Sequence, residues 1–322
     1  MSGWPALVCP RCRTVMDVAG EEADVASCAG CGLAFPAIAG VRLLVDAASL
    51  GATEAWQKGI YDALAHQAYG GWKLGRAPDI TLTYWSHCRH IADLRPRGGE
   101  TVLDVGCLDG GRLFEILATF DVAGVGVDLS TAAVAAARTA HHPRARFHAA
   151  SAEALPLAGK SCDVALAMDV LEHTGDPAAA VREVRRCLRP GGRLLAHLPV
   201  TDNAGSYDAW MAAYRPVEWE TRTRAVGHDY ATMPRATDAR RWLEGAGFAD
   251  VQVERFNAWH QNRFDYHRVH RVLNTLFFVL PLPMALYHDL LVHAAKLWYH
   301  LDRSRLARGV GGSVYVTGRV PS

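Results

Sequence analysis

The sequence lacks a hydrophobic run long enough to cross a membrane. Its longest apolar run, from Leu276 to Tyr287, is too short for a span and contains Pro281 and Pro283. The first ten residues, MSGWPALVCP, also lack the basic segment and long apolar run of a secretory signal. We therefore expect a soluble protein of the cytoplasm.

Neither sign of charge is in excess. The 322-residue chain has 34 basic and 33 acidic residues, which give a formal net charge of +1. The overall charge therefore provides no reason to expect a polyanion as partner. Half of the composition is hydrophobic. A chain of this length and composition can bury one large core and a small additional domain.

Four of the eight cysteines form two closely spaced pairs near the N-terminus. Cys9-Pro-Arg-Cys12 and Cys28-Ala-Gly-Cys31 are separated by fifteen residues. Two such pairs complete the tetrahedral thiolate shell of a structural zinc ion. The pattern predicts a zinc ribbon over residues 1–48, with the ion supplying stability that so short a segment lacks. The alternative is a set of buried thiols that bind no metal.

Strands and helices alternate from residue 100 onward. This alternation is typical of the α/β class, in which helices cover both faces of a mainly parallel sheet. Residues 49–99 are interpreted as a helical linker and cap, and residues 100–322 as the second domain. A helical insertion at about residues 257–310 precedes the last predicted strand, SVYVTGRV.

The turn after the first strand of this domain lacks the G-x-G-x-x-G order of dinucleotide sites. Its sequence from Asp104 is DVGCLDGG, and Asp109 would place a negative charge near a pyrophosphate. Asp128 ends the next strand, where a carboxylate can accept hydrogen bonds from both hydroxyls of a ribose. An adenosyl cofactor is therefore favoured over a nicotinamide dinucleotide.

Four segments resemble, in order, the motifs of the class I S-adenosylmethionine-dependent methyltransferases. They are LDVGCLDGG, GVDLS, SAEALPLAGKSCDVALAMDVLEHTGDP and LRPGGRLLAHLP. The resemblance covers about residues 95–200 and, more weakly, residues 225–322. It implies a Rossmann-like, seven-stranded, mostly parallel sheet and a methyl transfer reaction with S-adenosylmethionine as cofactor.

The same resemblance implies a set of cofactor-binding residues. Asp128 would hold the ribose and Leu129 would contact the adenine. The full set is Asp104, Gly106, Cys107, Leu108, Gly110, Asp128, Leu129, Ser151, Ala152, Glu153, Met168 and Asp169. Two positions depart from the family, which usually has glycine at Leu108 and aspartate at Ser151. We expect Leu108 to displace the loop or to narrow the cleft, whereas Ser151 can still accept a hydrogen bond from the adenine.

Histidine and tyrosine residues supply the candidates for a catalytic base. A base assists methylation of an oxygen or carbon acceptor. The candidates are His228 and Tyr230 in VGHDYATMPRATD, and His197 in LLAHLP. His173 is interpreted as a residue that shapes the cleft through a hydrogen bond to the backbone.

The insertion before the last strand combines basic residues with apolar residues at helical spacing. Arg263, His267, Arg268, His270 and Arg271 precede the apolar positions. Such a segment suits a small hydrophobic acceptor with an anionic group, such as a natural product, lipid or quinone-like molecule, or peripheral contact with a membrane. A dimer surface or a helical lid would give the same pattern.

Two other functions remain open. The N-terminal segment resembles the zinc-binding part of bacterial rRNA guanine methyltransferases, which makes an rRNA or tRNA base methyltransferase the main alternative. Its acidic residues, and the lack of a lysine-rich stripe, argue against a nucleic acid partner. A non-catalytic partner protein with the same fold is the second alternative, for which Leu108 is the only indication. We predict a methyltransferase of small molecules with S-adenosylmethionine and structural Zn²⁺.

Overall fold

A small antiparallel sheet lies near the N-terminus. The computed structural model describes residues 4–16, 25–67, 82–225, 227–228, 230, 232–266 and 284–322. In the first part of the chain, β1 (Val25–Ser27), β2 (Ala34–Ile38) and β3 (Val41–Arg42) pair in this order. Both pairings are antiparallel.

A seven-stranded sheet forms the centre of the described molecule. Its strands are β4 (Thr101–Val105), β5 (Ala123–Asp128), β6 (Ala145–Ala149), β7 (Cys162–Met168), β8 (Leu188–Pro199), β9 (Ala249–Phe256) and β10 (Ser313–Arg319). The order across the sheet is β6-β5-β4-β7-β8-β10-β9. The pairs from β6 to β8 are parallel, and β10 runs antiparallel to both of its neighbours. The predicted Rossmann-like, mostly parallel sheet of seven strands is confirmed.

Ten helices belong to the described residues. They are α1 (Ala52–Gln67), α2 (Leu82–Asp93), α3 (Gly111–Thr119), α4 (Thr131–Arg138), α5 (Pro177–Cys187), α6 (Tyr207–Tyr214), α7 (Pro216–Ala225), α8 (Ala236–Gly245), α9 (His260–Tyr266) and α10 (Met284–Ala307). Two of them start as their sequences predict. The Ser130 hydroxyl accepts a hydrogen bond from Ala133 N, and Asp176 accepts one from Ala179 N with Pro177 in the first turn.

Both faces of the large sheet are buried, because alternate residues of its central strands enter two separate hydrophobic clusters. Leu103 and Val105 of β4 pack with α5 and α8 on one face. Val102 packs with α2, α3 and α4 on the other face. Burial on both faces explains why the central strands are almost continuously apolar.

The N-terminal segment packs against the edge of the large sheet instead of standing apart from it. The backbone N–H of Leu44 donates to Ala149 O at 2.7 Å, and Val8 N donates to Pro156 O at 2.9 Å. Arg13 contacts the Glu183 carboxylate at 2.9 Å. The chain between residues 149 and 158, which follows β6, is therefore held from the N-terminal side. The boundaries predicted at residues 48 and 99 stay predictions.

Helices α9 and α10 follow β9 and precede β10 in the chain. A buried carboxylate joins the two helices. Asp302 Oδ2 accepts hydrogen bonds from Trp259 N at 3.0 Å and Gln261 N at 2.8 Å, at the start of α9. Four of the five basic residues noted in the predicted insertion lie outside the described residues. They are His267, Arg268, His270 and Arg271. Among the helices that are described, none has the length and apolar character needed to span a membrane.

Candidate cofactor and acceptor site

A cavity of about 410 Å³ lies at the carboxyl ends of β4, β5 and β7, where ligands bind in open parallel sheets. It is also bordered by α1 and by the loop that contains His228. Its wall comprises Glu54, Gln57, Lys58, Tyr61, Val105, Gly106, Cys107, Leu108, Asp109, Gly111, Arg112, Val127, Asp128, Leu129, Ser130, Ala150, Ala152, Met168, Asp169, Val170, His173, Thr174 and His228.

Two glycines of the turn after β4 are required by its geometry. Gly106 has a φ of 70°, and a Cβ atom there would lie 2.1 Å from Val170 Cγ2. Gly110 has a φ of 79°, and its Cβ would lie 2.7 Å from the Phe147 ring. A side chain at either position would therefore displace a residue of the cavity wall or of the core beneath it.

Leu108 occupies the position where the family usually has glycine. Its φ of 48° is in the left-handed region, so the turn keeps the conformation of a glycine at the cost of local strain. The Leu108 backbone N–H donates to Asp128 Oδ2 at 2.8 Å. The leucine is thus accommodated in the turn, and its side chain becomes part of the cavity wall.

Asp128 is fixed by backbone groups on both carboxylate oxygens. Oδ1 accepts from Ser130 N at 2.8 Å, and Oδ2 accepts from Leu108 N. Each oxygen retains a lone pair that can accept a ribose hydroxyl. Burial raises the pKa of Asp128 to about 6, although the backbone hydrogen bonds oppose this shift. The residue is 8% exposed and faces the cavity.

Asp104 lies behind the turn and does not line the cavity. Its side chain is completely buried, and neither oxygen has a hydrogen-bond partner within the described part of the chain. Arg112 Nη1 lies 3.9 Å from Asp104 Oδ1. Burial raises the pKa of Asp104 to about 6, and the nearby arginine opposes the shift.

The structure brings eight of the twelve implied cofactor residues to the cavity wall. They are Gly106, Cys107, Leu108, Asp128, Leu129, Ala152, Met168 and Asp169. Ser151 and Glu153 instead stabilise the neighbouring loop. Ser151 donates to Glu54 and accepts from Glu153 N, while the Glu153 carboxylate accepts from Gly175 N at 2.6 Å. Gly110 belongs to the turn but not to the cavity wall, and it packs against the Phe147 ring.

Helix α1 supplies four wall residues that the sequence analysis did not assign to the cofactor site. Glu54, Gln57, Lys58 and Tyr61 have the spacing i, i+3, i+4, i+7, which places them on one face of a helix. The sequence predicted only a helical linker and cap for this part of the chain. The polar stripe on this helix is the signal that could have identified all four.

A second cavity of about 200 Å³ shares Asp169 and His228 with the first. The three predicted catalytic residues, His197, His228 and Tyr230, all line it. Tyr230 packs edge-on against Trp219, with ring centroids 4.5 Å apart, and its hydroxyl lies 3.5 Å from Thr201 O.

His197 is buried and engaged at both ring nitrogens. Nδ1 lies 2.5 Å from Asp169 Oδ1, and Nε2 lies 2.9 Å from the Ser313 hydroxyl. His87 approaches the other oxygen of Asp169 at 3.8 Å. Because neither nitrogen of His197 is available to an acceptor, this geometry suits the positioning of Asp169 more than the role of a base.

Glu172, His173 and His228 form a second group behind the shared wall. Their ligand atoms all lie within 4.8 Å of one another. The Glu172 side chain has no exposed surface, and its oxygens meet no hydrogen-bond donor of another residue in the part of the chain that is described. Burial raises the pKa of Glu172 well above its usual range. His173 also contacts the Tyr61 hydroxyl at 3.1 Å.

The sequence analysis did not recognise this group. The spacing Asp169-x-x-Glu172-His173, which places three polar side chains at the end of β7, was its available signal. The approach of His228 from a distant loop was not visible in that spacing. A carboxylate with two imidazoles is a ligand set used for divalent metals, so these three residues could hold a cation.

Comparisons with known proteins agree with the fold and the cavity. A family model described as a methyltransferase domain matches residues 103–196. The chain is 31% identical over 180 residues to a ubiquinone biosynthesis O-methyltransferase of Ruegeria pomeroyi, which covers 52% of this chain and 67% of that protein.

Two further similarities cover a smaller share of the relative's own length. An O-methyltransferase of Pyrenophora dematioidea is 37% identical over 122 residues, which cover 36% of this chain and 46% of the relative, so the chain spans less than half of that protein. The structure of phosphoethanolamine N-methyltransferase 2 of Haemonchus contortus with S-adenosyl-L-methionine superposes with a TM-score of 0.53 at 18% identity, over 74% of this chain and 52% of that chain. The chain belongs to the class I S-adenosylmethionine-dependent methyltransferases.

Proposed function

We propose that this protein transfers the methyl group of S-adenosylmethionine to an oxygen atom of a small-molecule acceptor. The observation that carries the proposal is the carboxylate of Asp128, which is fixed at the end of β5 and faces a cavity large enough for a cofactor. The names of the relatives, which are O-methyltransferases, support oxygen as the acceptor atom.

Each of the two cavities binds a different ligand. The larger one holds the cofactor, and the smaller one holds the acceptor. Asp169 and His228 belong to both walls, so the reacting atoms meet beside these two side chains. Because the sulfonium of the cofactor is already activated, the main contribution of the protein is the alignment of the acceptor with the methyl group.

His228 is the residue best placed to receive the proton of an acceptor hydroxyl. Its ring stacks on His173 with centroids 4.9 Å apart and it lines both cavities. Burial lowers the pKa of His228, so the imidazole is neutral at neutral pH and can accept a proton. Tyr230 contributes to the wall of the smaller cavity, and His197 orients Asp169.

As an alternative to proton transfer to His228, the group of Glu172, His173 and His228 would hold a divalent cation. Such an ion, when bound, lowers the pKa of a hydroxyl beside it. The support for a cation is the buried Glu172 carboxyl group, whose oxygens accept no hydrogen bond from another described residue. It lies 3.9 Å from the imidazole of His173 and 3.8 Å from that of His228. The two imidazoles are neutral because burial lowers the pKa of His173 to about 4 and also lowers that of His228.

The cofactor assignment is tested by Asp128→Asn. An amide cannot accept as well from both ribose hydroxyls, and a hydrogen bond to a charged group contributes about 1.5–3 kcal/mol. We expect a loss of S-adenosylhomocysteine affinity of roughly tenfold to a hundredfold in titration calorimetry. The control is Asp121→Asn, because that side chain is 91% exposed and distant from the cavity. An unchanged affinity in the Asp128 variant contradicts the proposed ribose contact.

The reaction is tested with S-adenosylmethionine labelled at the methyl group and a small-molecule extract of bacterial cells. We expect the label in products below the cut-off of a size filter, detected by mass spectrometry, and we expect nuclease treatment of the extract to have no effect. The control enzyme is Asp128→Asn. Label that appears in RNA, and disappears after nuclease treatment, would favour the base methyltransferase; no transfer at all would support a non-catalytic protein.

The cation site is tested by the effect of Mn²⁺ on thermal unfolding. A cation present at a hundredfold excess over its dissociation constant stabilises the folded chain by about 2.7 kcal/mol. We expect Mn²⁺ to raise Tm by several degrees in the wild-type protein but not in Glu172→Gln. Without cation, the same substitution should change Tm little, since the raised pKa of Glu172 keeps its buried carboxyl group protonated and uncharged. Equal Mn²⁺ shifts in both proteins would exclude Glu172 as a ligand.

Cys9, Cys12, Cys28 and Cys31 would bind the structural zinc ion. Tetrahedral Zn–S bonds of 2.3 Å place neighbouring sulfurs about 3.8 Å apart. The Sγ atoms of Cys9 and Cys31 are 3.7 Å apart, and those of Cys12 and Cys28 are 3.4 Å apart. These distances are close to the expected geometry, and all four Sγ atoms lie within 4.8 Å of one another.

Removal of this zinc should weaken both the fold and the cofactor site. We expect one zinc ion per chain by elemental analysis, and a lower Tm with weaker S-adenosylhomocysteine binding in Cys28→Ser. The reason is that the N-terminal segment holds residues 149–158, which border the cofactor cavity. The control is Cys88→Ser, since Cys88 is exposed and separate from the cluster. A Cys28 variant with full zinc content would exclude the proposed ligand set.

A further inference from the structure

The described wall of the smaller cavity contains acidic side chains but no lysine or arginine. Among the residues described around it, two are carboxylates and none is a lysine or an arginine. Its wall consists of Asp169, His197, Pro199, Asp208, Trp219, Thr223, His228, Tyr230, Met233, Asn257, Asn262, Gly312 and Ser313. The described wall therefore does not support the anionic group expected for the acceptor, because two carboxylates would repel it.

Asp208 differs from two other aspartates, Asp202 and Asp302, in the charge of its partners. Its oxygens accept from Trp219 Nε1 at 2.8 Å and from Asn203 Nδ2 at 3.0 Å. Both donors are uncharged. By contrast, Asp202 contacts Arg255 at 2.6 Å, and Asp302 lies 3.4 Å from Arg305. Asp208 forms no ion pair within the described parts of the chain.

The position of Asp208 makes its charge available to a ligand. It lies in the first turn of α6, after Ser206, which caps the helix by accepting from Ala209 N. The two neutral donors hold the carboxylate in one orientation at the cavity wall. Burial raises the pKa of Asp208 because the ionised form loses hydration. A cationic group beside it would replace the missing hydration and complete its pairing.

The size of the cavity limits the acceptor. About 200 Å³ is less than the roughly 300 Å³ at which common ligand pockets begin. Trp219, Tyr230 and Met233 provide apolar and aromatic surface for a small ring or chain. The reacting oxygen belongs beside Asp169 and His228, where this cavity meets the cofactor cavity.

We propose that Asp208 recognises an ammonium group of the acceptor, and that the substrate class is a small hydroxylated amine. This inference rests on the proposed methyl transfer to oxygen. The hydroxyl of such a molecule lies at the shared wall, and its ammonium lies at Asp208. Asp208 is thus a specificity-determining residue, and Trp219 and Asn203 are positioning residues that orient its carboxylate.

The test uses three phenols that differ in the charge and the terminal atoms of the substituent opposite the hydroxyl. They are tyramine, which is cationic, 4-ethylphenol, which is neutral, and 4-hydroxyphenylacetate, which is anionic. Each is titrated into protein saturated with S-adenosylhomocysteine. We expect tyramine to bind at least about tenfold more tightly than 4-ethylphenol, with 4-hydroxyphenylacetate the weakest. The same order is expected for methylation rates with S-adenosylmethionine.

Two variants separate recognition from structural support. Asp208→Asn keeps a hydrogen-bond acceptor for Trp219 and should remove the preference for tyramine, with S-adenosylhomocysteine affinity unchanged. Trp219→Phe removes the indole donor but keeps the carboxylate, and it should preserve the order of the three phenols. If Asp208 only joins α6 to α7, both variants will lower Tm and neither will change the order.

The outcomes that overturn the inference are distinct from those that overturn the proposed function. Equal binding of the three phenols, a reversed order, or no binding of tyramine to the S-adenosylhomocysteine complex contradicts recognition by Asp208. An unchanged tyramine preference in Asp208→Asn contradicts it as well. Failure of the wild-type protein to bind S-adenosylhomocysteine overturns the methyltransferase proposal itself, and the inference with it.

Discussion

The structure depends on one buried carboxylate that organises the turn above the central strands. Asp128 accepts from the backbone of Leu108 in the first turn and from Ser130 at the start of α4. These two bonds tie the ends of β4 and β5 together, so the turn keeps its shape even with a leucine at φ 48°. Each carboxylate oxygen still has a lone pair that faces the cavity. The same residue therefore stabilises the loop and prepares the site for a ligand.

The fold and the centre of the cofactor site could be predicted because their determinants are local in the sequence. Gly106 and Gly110 mark a turn that needs positive φ, and both adopt it. Continuous apolar strands and capped helices give the parallel sheet, which the structure confirms. The role predicted for Ser151 illustrates the limit. Its hydroxyl pairs with Glu54, a residue 97 positions away, so its surroundings could not be read from its own motif.

The residues that the sequence did not reveal are those brought together by tertiary contacts. Glu172 and His173 belong to a recognised motif, but His228 joins them from a loop between α7 and α8. Asp208 shows no unusual feature in the sequence, since an acidic residue in the first turn of a helix is common. Only the packing of α6 against α7 shows that its partners are the uncharged Trp219 and Asn203.

Buried negative charge is the feature that connects cofactor binding with acceptor choice. Asp104, Asp128, Glu172 and Asp208 are all desolvated, and burial raises the pKa of each. Without cationic ligands such a site opposes folding, because each charge loses hydration without full compensation. A cationic cofactor, and the cationic acceptor that we propose, would restore that compensation when they occupy the site. On this proposal, the energy that the ligand-free chain loses by burying these carboxylates would be the source of selectivity for positively charged ligands.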